Sequence, residues 1–502
     1  MLLAIICLAG RGDARGLGGV TALQSCQAGW QIVPSADAPS RYGELYGVSA
    51  LAANDIWAVG RSFPGGEGAD QPLAEHWDGN AWTIIASPTP GGDSQLYAVE
   101  AVAANDVWAV GRATGGTDYQ PLLEHWDGGS WRIVAGGNVP QGGLLGLTAT
   151  APNDVWAVGY SGETDTPLSL AEHWDGSTWS VVPTPNVGGA SEAFLIAVSG
   201  LSSKEVWAVG GYGTEDTFQP LAMRWDGGQW NLVPVSINGM GELTGVKVLA
   251  PNDVWVAGGG GVDFSFQPLM MHWNGSVFNN VQVPNTSDSF ASLSGLVAYS
   301  TNDVWAVGTV DSFPDRDPLV LHWNGSSVEK ASAPVPDGGG GLNGATLLPN
   351  GDVVVVGGAG SSEGGRTLVE YGTACSSPKS TPTSVPGTPG PQPTLPPATL
   401  PGVGSRTFPE TGKTVSGLFL GYWDNNGGLA QQGYPISEVF GEVSDLNGQP
   451  YTVQYFERAV FEYHPEQKAP YDVQLTALGN LALAAHYPSG TVLAARNPVP
   501  SP

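Results

Sequence analysis

Five of the seven histidines stand at one repeated position, directly before a tryptophan: His76, His125, His173, His272 and His322. Imidazole is the commonest protein metal ligand, so a recurring histidine raises the question of a metal site. Spacing argues against it. The five occur once per unit of about 50 residues. Placed one per sheet, on a strand two positions out from the innermost, they would lie well over about 10 Å apart, whereas a Zn–N bond is about 2 Å. They are expected to be structural, and neither a metal nor a cofactor is expected. The aspartate that recurs in the same units (Asp55, Asp106, Asp154, Asp253 and Asp303) reads as a turn residue whose carboxylate bonds nearby backbone N–H groups.

A second set of residues could bind rather than catalyse. The segment after each histidine-bearing unit's apolar core carries aromatics beside carboxylates: Phe63 with Glu67 and Asp70, Asp118 with Tyr119, and Tyr160 with Glu163 and Asp165. Further along come Tyr212, Asp216 and Phe218, then Phe264 and Phe266, then Phe313. Aromatic faces next to hydrogen-bonding groups suit stacking on sugar rings, and they equally suit the basic groups of a protein partner. The structural alternative is that they anchor their own loops.

The elements that must position these residues are repeats. NDIWAVG (Asn54–Gly60) returns as NDVWAVG at Asn105, Asn153 and Asn302, as KEVWAVG at Lys204, as NDVWVAG at Asn252 and as GDVVVVG at Gly351. A period near 50 residues, rich in β-branched residues and turns, predicts seven propeller blades. Each blade resolves into four strands, a to d; in the first these are LYGVSAL, IWAVG, PLAEHW and AWTII. The Asp-Gly or Asn-Gly after strand c (Asp78, Asp127, Asp175, Asp226, Asn274 and Asn324) suits a hairpin turn with positive φ. The a–b and c–d turns are short and uniform; the b–c and d–a loops are long and variable, and function is expected on the face they share. The tryptophans of the repeats are expected to pack one blade on the next.

The chain ends complete the pattern. The seventh unit stops after strand c at LVEYGTAC (Leu368–Cys375), and CQAGWQIVPS (Cys26–Ser35) matches the missing strand d. The N-terminal strand should close the ring, which removes exposed sheet edges. Cys26 and Cys375 then fall in the c–d turn of the composite blade, and a disulfide between them is expected. In the fourth unit, VWAVGG with MRWDGGQW resembles a kelch repeat, in which an apolar strand and Gly-Gly precede aromatics flanking the last hairpin. The first and second units keep one of the two glycines (Gly60-Arg61, Gly111-Arg112). WDGxxW also resembles the Asp-box turn of sialidases, although here the Asp and Gly adjoin. The resemblance implies a propeller over residues 26–375 and, because propellers host unrelated functions, implies no activity.

Composition agrees with a turn-rich β protein. The 502 residues include 73 Gly and 40 Pro, which excludes a long helical bundle, while 41% apolar residues and 18 Trp supply a core. Lys and Arg number 18 against 46 Asp and Glu, a net charge of −28 that disfavours nucleic acid and anionic membranes. The start, MLLAIICLAG followed by GRGDARG, has the length of a signal-peptide apolar region and is too short to span a bilayer. Ile6 before Cys7 argues against a lipoprotein, and residues 1–25 are read as a leader, with no transmembrane span expected in the mature chain. Residues 376–404 hold nine prolines in 29 positions and read as a stiff, extended linker.

Residues 405–495 regain aromatics and are expected to form a small α+β module. GLFLGYWDNNGG reads as a short helix, YTVQYF and AVFEYHP as a hairpin about Asn447-Gly448, and VQLTALGNLALAAH as a second helix. The run YWDNNGGLAQQGYPISEVF with VQYFERAVFEYHP resembles the LGFP-type repeats of exported bacterial proteins. That resemblance implies attachment to the cell wall.

Enzyme chemistry has less in its favour. A sialidase-like site would need converging arginines; Arg61 and Arg112 share a blade position and no third Arg occupies it. A copper site of the galactose-oxidase kind would need a cysteine that ring closure has claimed. Paired carboxylates for glycoside hydrolysis remain open, because acidic loop residues abound. The expected whole is an all-β, seven-bladed β-propeller closed by an N-terminal strand, with the small C-terminal module. It is expected to be secreted or surface-associated and monomeric, and to bind glycan or an extracellular protein without catalysis. The alternative is a carbohydrate-active hydrolase or lyase on the same scaffold.

Overall fold

The structure is a computed structural model. It describes residues 29–36, 42–63, 68–114, 118–162, 166–214, 217–262, 265–286, 290–312, 315–360, 365–373, 400–402, 404–408, 411–425, 434–443, 450–456, 459–464 and 473–477. Seven four-stranded antiparallel sheets make up residues 29–373. Their a strands are Tyr42–Ala52, Ser94–Ala103, Gly142–Ala151, Glu192–Ser202, Met240–Ala250, Ala291–Ser300 and Gly340–Leu347. The b strands are Asp55–Phe63, Asp106–Thr114, Asp154–Ser161, Glu205–Gly213, Asp253–Val262, Asp303–Ser312 and Val353–Ala359. Each a strand packs beside the next, and the last packs beside the first, so the sheets close into a ring around a central channel. The chain is a β-propeller.

Closure is made as the repeat pattern requires. The c strand Arg366–Gly372 of blade 7 pairs with the d strand Trp30–Ile32, with Trp30 opposite Gly372. Beyond the strands, Thr373 N donates to Gly29 O at 3.1 Å and Gly29 N donates to Thr373 Oγ1 at 3.1 Å. Trp30 lies over Gly372, where a side chain would collide with its ring, and meets Trp305 of blade 6 edge-on at 5.7 Å. Cys26 and Cys375 lie outside the described residues.

Tryptophans join blade to blade. Trp57 of blade 1 packs against Trp126 and Trp131 of blade 2 at 5.1 and 5.3 Å, and Trp108 and Trp156 repeat the contact with the blades that follow them. Blade 7 has Val354 at this position, and the neighbouring Trp77 and Trp82 fold over it in one apolar cluster.

The histidines complete this packing. The c strands that carry them run Gln71–Trp77, Tyr119–Trp126, Leu168–Trp174, Ser265–Trp273 and Asp315–Trp323 in blades 1, 2, 3, 5 and 6. His76 Nε2 donates to Asp55 Oδ1 at 2.9 Å while its ring lies 4.5 Å from that of Trp57. The same trio recurs with Asp106, Asp154, Asp253 and Asp303. This corrects the expectation for the repeated aspartate: its carboxylate serves the histidine on the neighbouring strand. The backbone-capping role belongs to the aspartate after strand c, as where Asp78 Oδ1 accepts from Asn80 N and Ala81 N at 2.8 and 3.0 Å beside Gly79 at φ 96°. Blade 4 replaces the pair with a longer acid and a longer base, Glu205 and Arg224 at 2.6 Å. Asp106→Ala should lower stability by about 1–3 kcal/mol, read from urea unfolding, because it strands the His125 donor between two strands.

The C-terminal residues form a separate core. A hairpin (Ser405–Phe408 with Lys413–Ser416), the helix Gly417–Asn425 and a four-stranded sheet enclose Phe408, Phe419, Trp423, Phe456 and Phe461. Leu400 packs on this core and Leu418 N donates to Pro401 O at 2.6 Å, so the last linker residues belong to it. The sheet order is Phe440–Val443, Pro450–Tyr455, Ala459–Tyr463 and Val473–Ala477. Val473–Ala477 was expected to be helical and is a strand. It pairs with Ala459–Tyr463 at the edge of the sheet, and that pairing outweighs the helix-favouring residues beyond it. Residues 478–495 and Asn447-Gly448 lie outside the described residues.

Candidate functional site

At the end of the ring bearing the b–c and d–a loops, each blade presents one cross-strand pair, the residue before the conserved a-strand leucine and the residue after the b-strand glycine. Going round, the pairs are Glu44/Arg61, Gln95/Arg112, Gly143/Tyr160, Phe194/Gly211, Glu242/Gly259, Ser292/Thr309 and Gly341/Gly358. The ring is therefore strongly asymmetric: blades 1 to 3 carry charge and phenol, and blades 4 to 7 carry mostly small residues.

In blade 1, Arg61 is held by two carboxylates, Asp70 at 2.9 Å and Glu44 at 3.3 Å. Glu44 also accepts from the Tyr46 hydroxyl at 2.8 Å. In blade 2 the place of Glu44 is taken by Gln95. With its amide oxygen turned toward Arg112, Gln95 accepts from Nε and Nη2 at 2.8 and 2.9 Å, and from the Tyr97 hydroxyl at 2.7 Å. Arg112 Nη1 donates to the Tyr160 hydroxyl of blade 3 at 3.1 Å, and its Cζ lies 4.0 Å above the Tyr119 ring. Gly143 makes room for this contact, since a side chain there would press on both Arg112 and Tyr160. Tyr46 and Tyr97 stand 5.4 Å apart, joining the two blades' clusters.

The cluster borders two concavities. The central channel, about 750 Å³, is lined at one level by Tyr46, Tyr97, Leu145, Ile196, Thr244, Ser294 and Asn343. A notch of about 680 Å³ between blades 6, 7 and 1 is lined by Glu44, Arg61, Phe63, Asp70, Arg316 and glycine backbones, and it shares Asn343 with the channel. Burial pushes the Tyr97 hydroxyl up to about 12 and raises Tyr46 as well, with the Glu44 carboxylate adding to the latter. Both phenols stay protonated at neutral pH and act as hydrogen-bonding groups rather than bases.

The other level of the channel holds Glu100 and Lys247, the two charged residues among its described lining. Burial pushes the Glu100 carboxyl up to about 7, opposed by Lys247 and by the Ala149 N–H that it accepts. Ser49, Thr148 and Ser199, at the same strand position in other blades, accept the backbone N–H of the next blade in the same way. Glu100 is thus an inter-blade tie. Among the described lining residues no second carboxylate faces it, so the two-carboxylate arrangement of glycoside hydrolysis is not formed there.

The sequence-predicted binding residues divide. Tyr119 and Tyr160 meet around Arg112, and Phe63 lies under Arg61 at 5.0 Å; Asp118 is exposed next to Tyr119. Tyr212 packs on the blade 3–4 core. Phe218 stacks on Phe194 and covers Gly211, and Phe266 stacks on Phe290 and covers Gly259, so both fill the place that arginine holds in blades 1 and 2. Asp216, Phe264 and Phe313 lie outside the described residues. Tyr46, Tyr97 and Gln95 were not anticipated. Their signal was the position beside the a-strand leucine, which varies between blades while its neighbours do not.

No family model and no curated protein matches the chain. Solved structures of similar shape include YCF48 bound to D1 peptide, 15% identical with a TM-score of 0.44, spanning 69% of this chain and 97% of that one. The WD40 propeller domain of Doa1 is 14% identical with a TM-score of 0.45, over 70% and 98% of the two chains. A PL25 ulvan lyase, a polysaccharide lyase bound to -[GlcA(1-4)Rha3S]-, is 11% identical with a TM-score of 0.44, over 68% and 93%. Among the described residues no helix is long and apolar enough to cross a membrane.

Proposed function

We propose that the protein is an exported, non-catalytic binding protein that recognises glycan through the channel mouth formed by blades 1 to 3. The observation that carries this reading is the Arg112–Tyr97–Tyr119–Tyr160 array, which gathers aromatic rings and hydroxyls about one guanidinium, with Tyr97 lining the central channel. Aromatic rings bind the C–H faces of sugars, and the hydroxyls bind theirs. Two features favour binding over turnover: burial holds Tyr97 and Tyr46 protonated, and among the described channel-lining residues Glu100 meets no second carboxylate. The proline-rich segment and the C-terminal core suit a kelch-like head held off a cell wall by an LGFP-like anchor. A Cys26–Cys375 disulfide suits the oxidising exterior, and the Gly29–Thr373 pairing brings the two chain ends together within a few residues of both cysteines.

A glycan array probed with the full-length protein tests the reading. Retention of defined oligosaccharides, lost at least tenfold in Tyr119→Ala/Tyr160→Ala, is the expected outcome. Retention unchanged in that variant would place recognition elsewhere. Release of unsaturated or reducing ends from a retained glycan, abolished by Glu100→Gln, would instead favour the hydrolase or lyase reading.

A further inference from the structure

Among the described residues Arg112 is a cation without a counter-ion, in a protein of net charge −28. Of the loop-face arginines, Arg61 is paired with Glu44 and Asp70 and Arg316 with Asp311, whereas among the described residues no carboxylate lies within ion-pair distance of Arg112. The difference traces to two positions: Glu44 in blade 1 is Gln95 in blade 2, and Asp70, directly before Gln-Pro-Leu, is Tyr119. Nor is Arg112 loosely solvated: it is half-buried, clamped by buried Gln95 and stacked on Tyr119. A guanidinium has five N–H donors. Gln95 takes one from Nε and one from Nη2, and Tyr160 takes one from Nη1, which leaves one on each terminal nitrogen. Two donors so placed match the two oxygens of a carboxylate. Tyr160, accepting from Arg112, keeps its own hydroxyl proton to give.

We infer that Arg112 is the anchor for a carboxylate carried by the bound glycan, and that the ligand is a uronic-acid oligosaccharide. This deepens the glycan-binding reading and rests on it. A uronate fixes its carboxylate rigidly to a ring, so one sugar can engage the fork of Arg112 while its C–H face meets Tyr97 or Tyr119. An acidic peptide, with its charge on a flexible stem, has no comparable use for the tyrosine platform. The protein's overall negative field is screened beyond about 8 Å at physiological salt, whereas a half-buried contact is screened less.

The test is isothermal titration of the full-length protein with oligogalacturonate and with the same oligosaccharide methyl-esterified, which keeps the sugar and removes the charge. The free acid should bind at least tenfold more tightly than the ester. Gln95→Glu, which gives Arg112 the partner that Arg61 already has, and Arg112→Met should each bring the acid down to the ester's affinity. Thermal melts identify a variant that has failed to fold, and the native protein's acid-to-ester ratio decides the matter without either variant. Equal binding of acid and ester overturns the uronate assignment and leaves the glycan reading standing; an acid preference that survives both substitutions overturns Arg112 as the anchor. Tighter binding of a hexaglutamate peptide than of the uronate overturns the ligand class. Binding of no glycan of either kind, here or on the array, overturns both.

Discussion

Glu370→Met is expected to stabilise the propeller by about 3–5 kcal/mol at pH 9 and by much less at pH 4. Glu370 is fully buried in strand c of blade 7, and among the described residues neither carboxyl oxygen has a hydrogen-bond partner. Burial pushes its carboxyl up to about 8. The three other glutamates at this strand position are each met by the chain entering their blade: Glu75 accepts from Ala36 N at 3.2 Å, Glu124 from Ser87 Oγ at 2.7 Å and Glu172 from Gly137 N at 2.7 Å. The segment entering blade 7 offers Ala333, which has no hydroxyl, and Pro334, which has no N–H. Below about pH 4.5 the carboxyl is protonated in both folded and unfolded chains and costs little. As pH rises, the unfolded chain releases its proton first, so stability falls until the folded carboxyl also ionises near pH 8, and above that the whole penalty remains. Methionine is the residue that blades 4 and 5 carry here, Met223 and Met271, so it should fit without strain. Ala333→Ser, which copies Ser87, should recover part of the same gain. Urea unfolding at pH 4 and pH 9 measures both; a gain independent of pH would show that Glu370 does not titrate in this window.

If the proposed Cys26–Cys375 disulfide is formed, replacing both cysteines by Ser should cost the ring roughly 5 kcal/mol, the chain-entropy value for tying off so long a loop. The non-covalent closure is modest: the closing d strand is Trp30–Ile32, and two of its three residues are exposed. Its register sets Trp30 opposite Gly372, and Gly29 bonds Thr373 beyond it. Unfolding of the reduced or doubly substituted protein should therefore begin at blade 7, with early hydrogen exchange in Arg366–Gly372. Two thiols titrating freely in the oxidised, folded protein would show that the seal is non-covalent.

The repeat register made the fold legible. Seven copies of an apolar run at a fixed period, with strand d missing from the last and supplied by the first segment, left one closed topology, and the a-strand neighbours close in that order. The histidines were legible as structural for the same reason. Their partner was not: Asp55 sits at a turn in sequence, and only the cross-strand register, with Trp57 opposite His76, carries its carboxylate to the imidazole. Val473–Ala477 was misread because five residues of edge strand led into a longer helix-favouring run. The site was half legible. Loop aromatics announce themselves by type, and of those so picked out Tyr119 and Tyr160 meet around Arg112, while Phe218 and Phe266 cover glycines within their own blades. What singles out Arg112 is the identity of the residue opposite it on another strand, a relation that becomes visible only once Gln95 and Glu44 are aligned by the sheets.

On the proposed reading, recognition belongs to the mouth of the channel at blades 1 to 3. Oxidative footprinting of the full-length protein, with and without the oligosaccharide that the array retains, measures this directly. Protection of Tyr97, Tyr119 and Tyr160 is expected, with Phe218, Phe266 and the aromatics of the C-terminal core unchanged. Protection confined to those latter residues, with the three tyrosines as reactive as in the free protein, would contradict it.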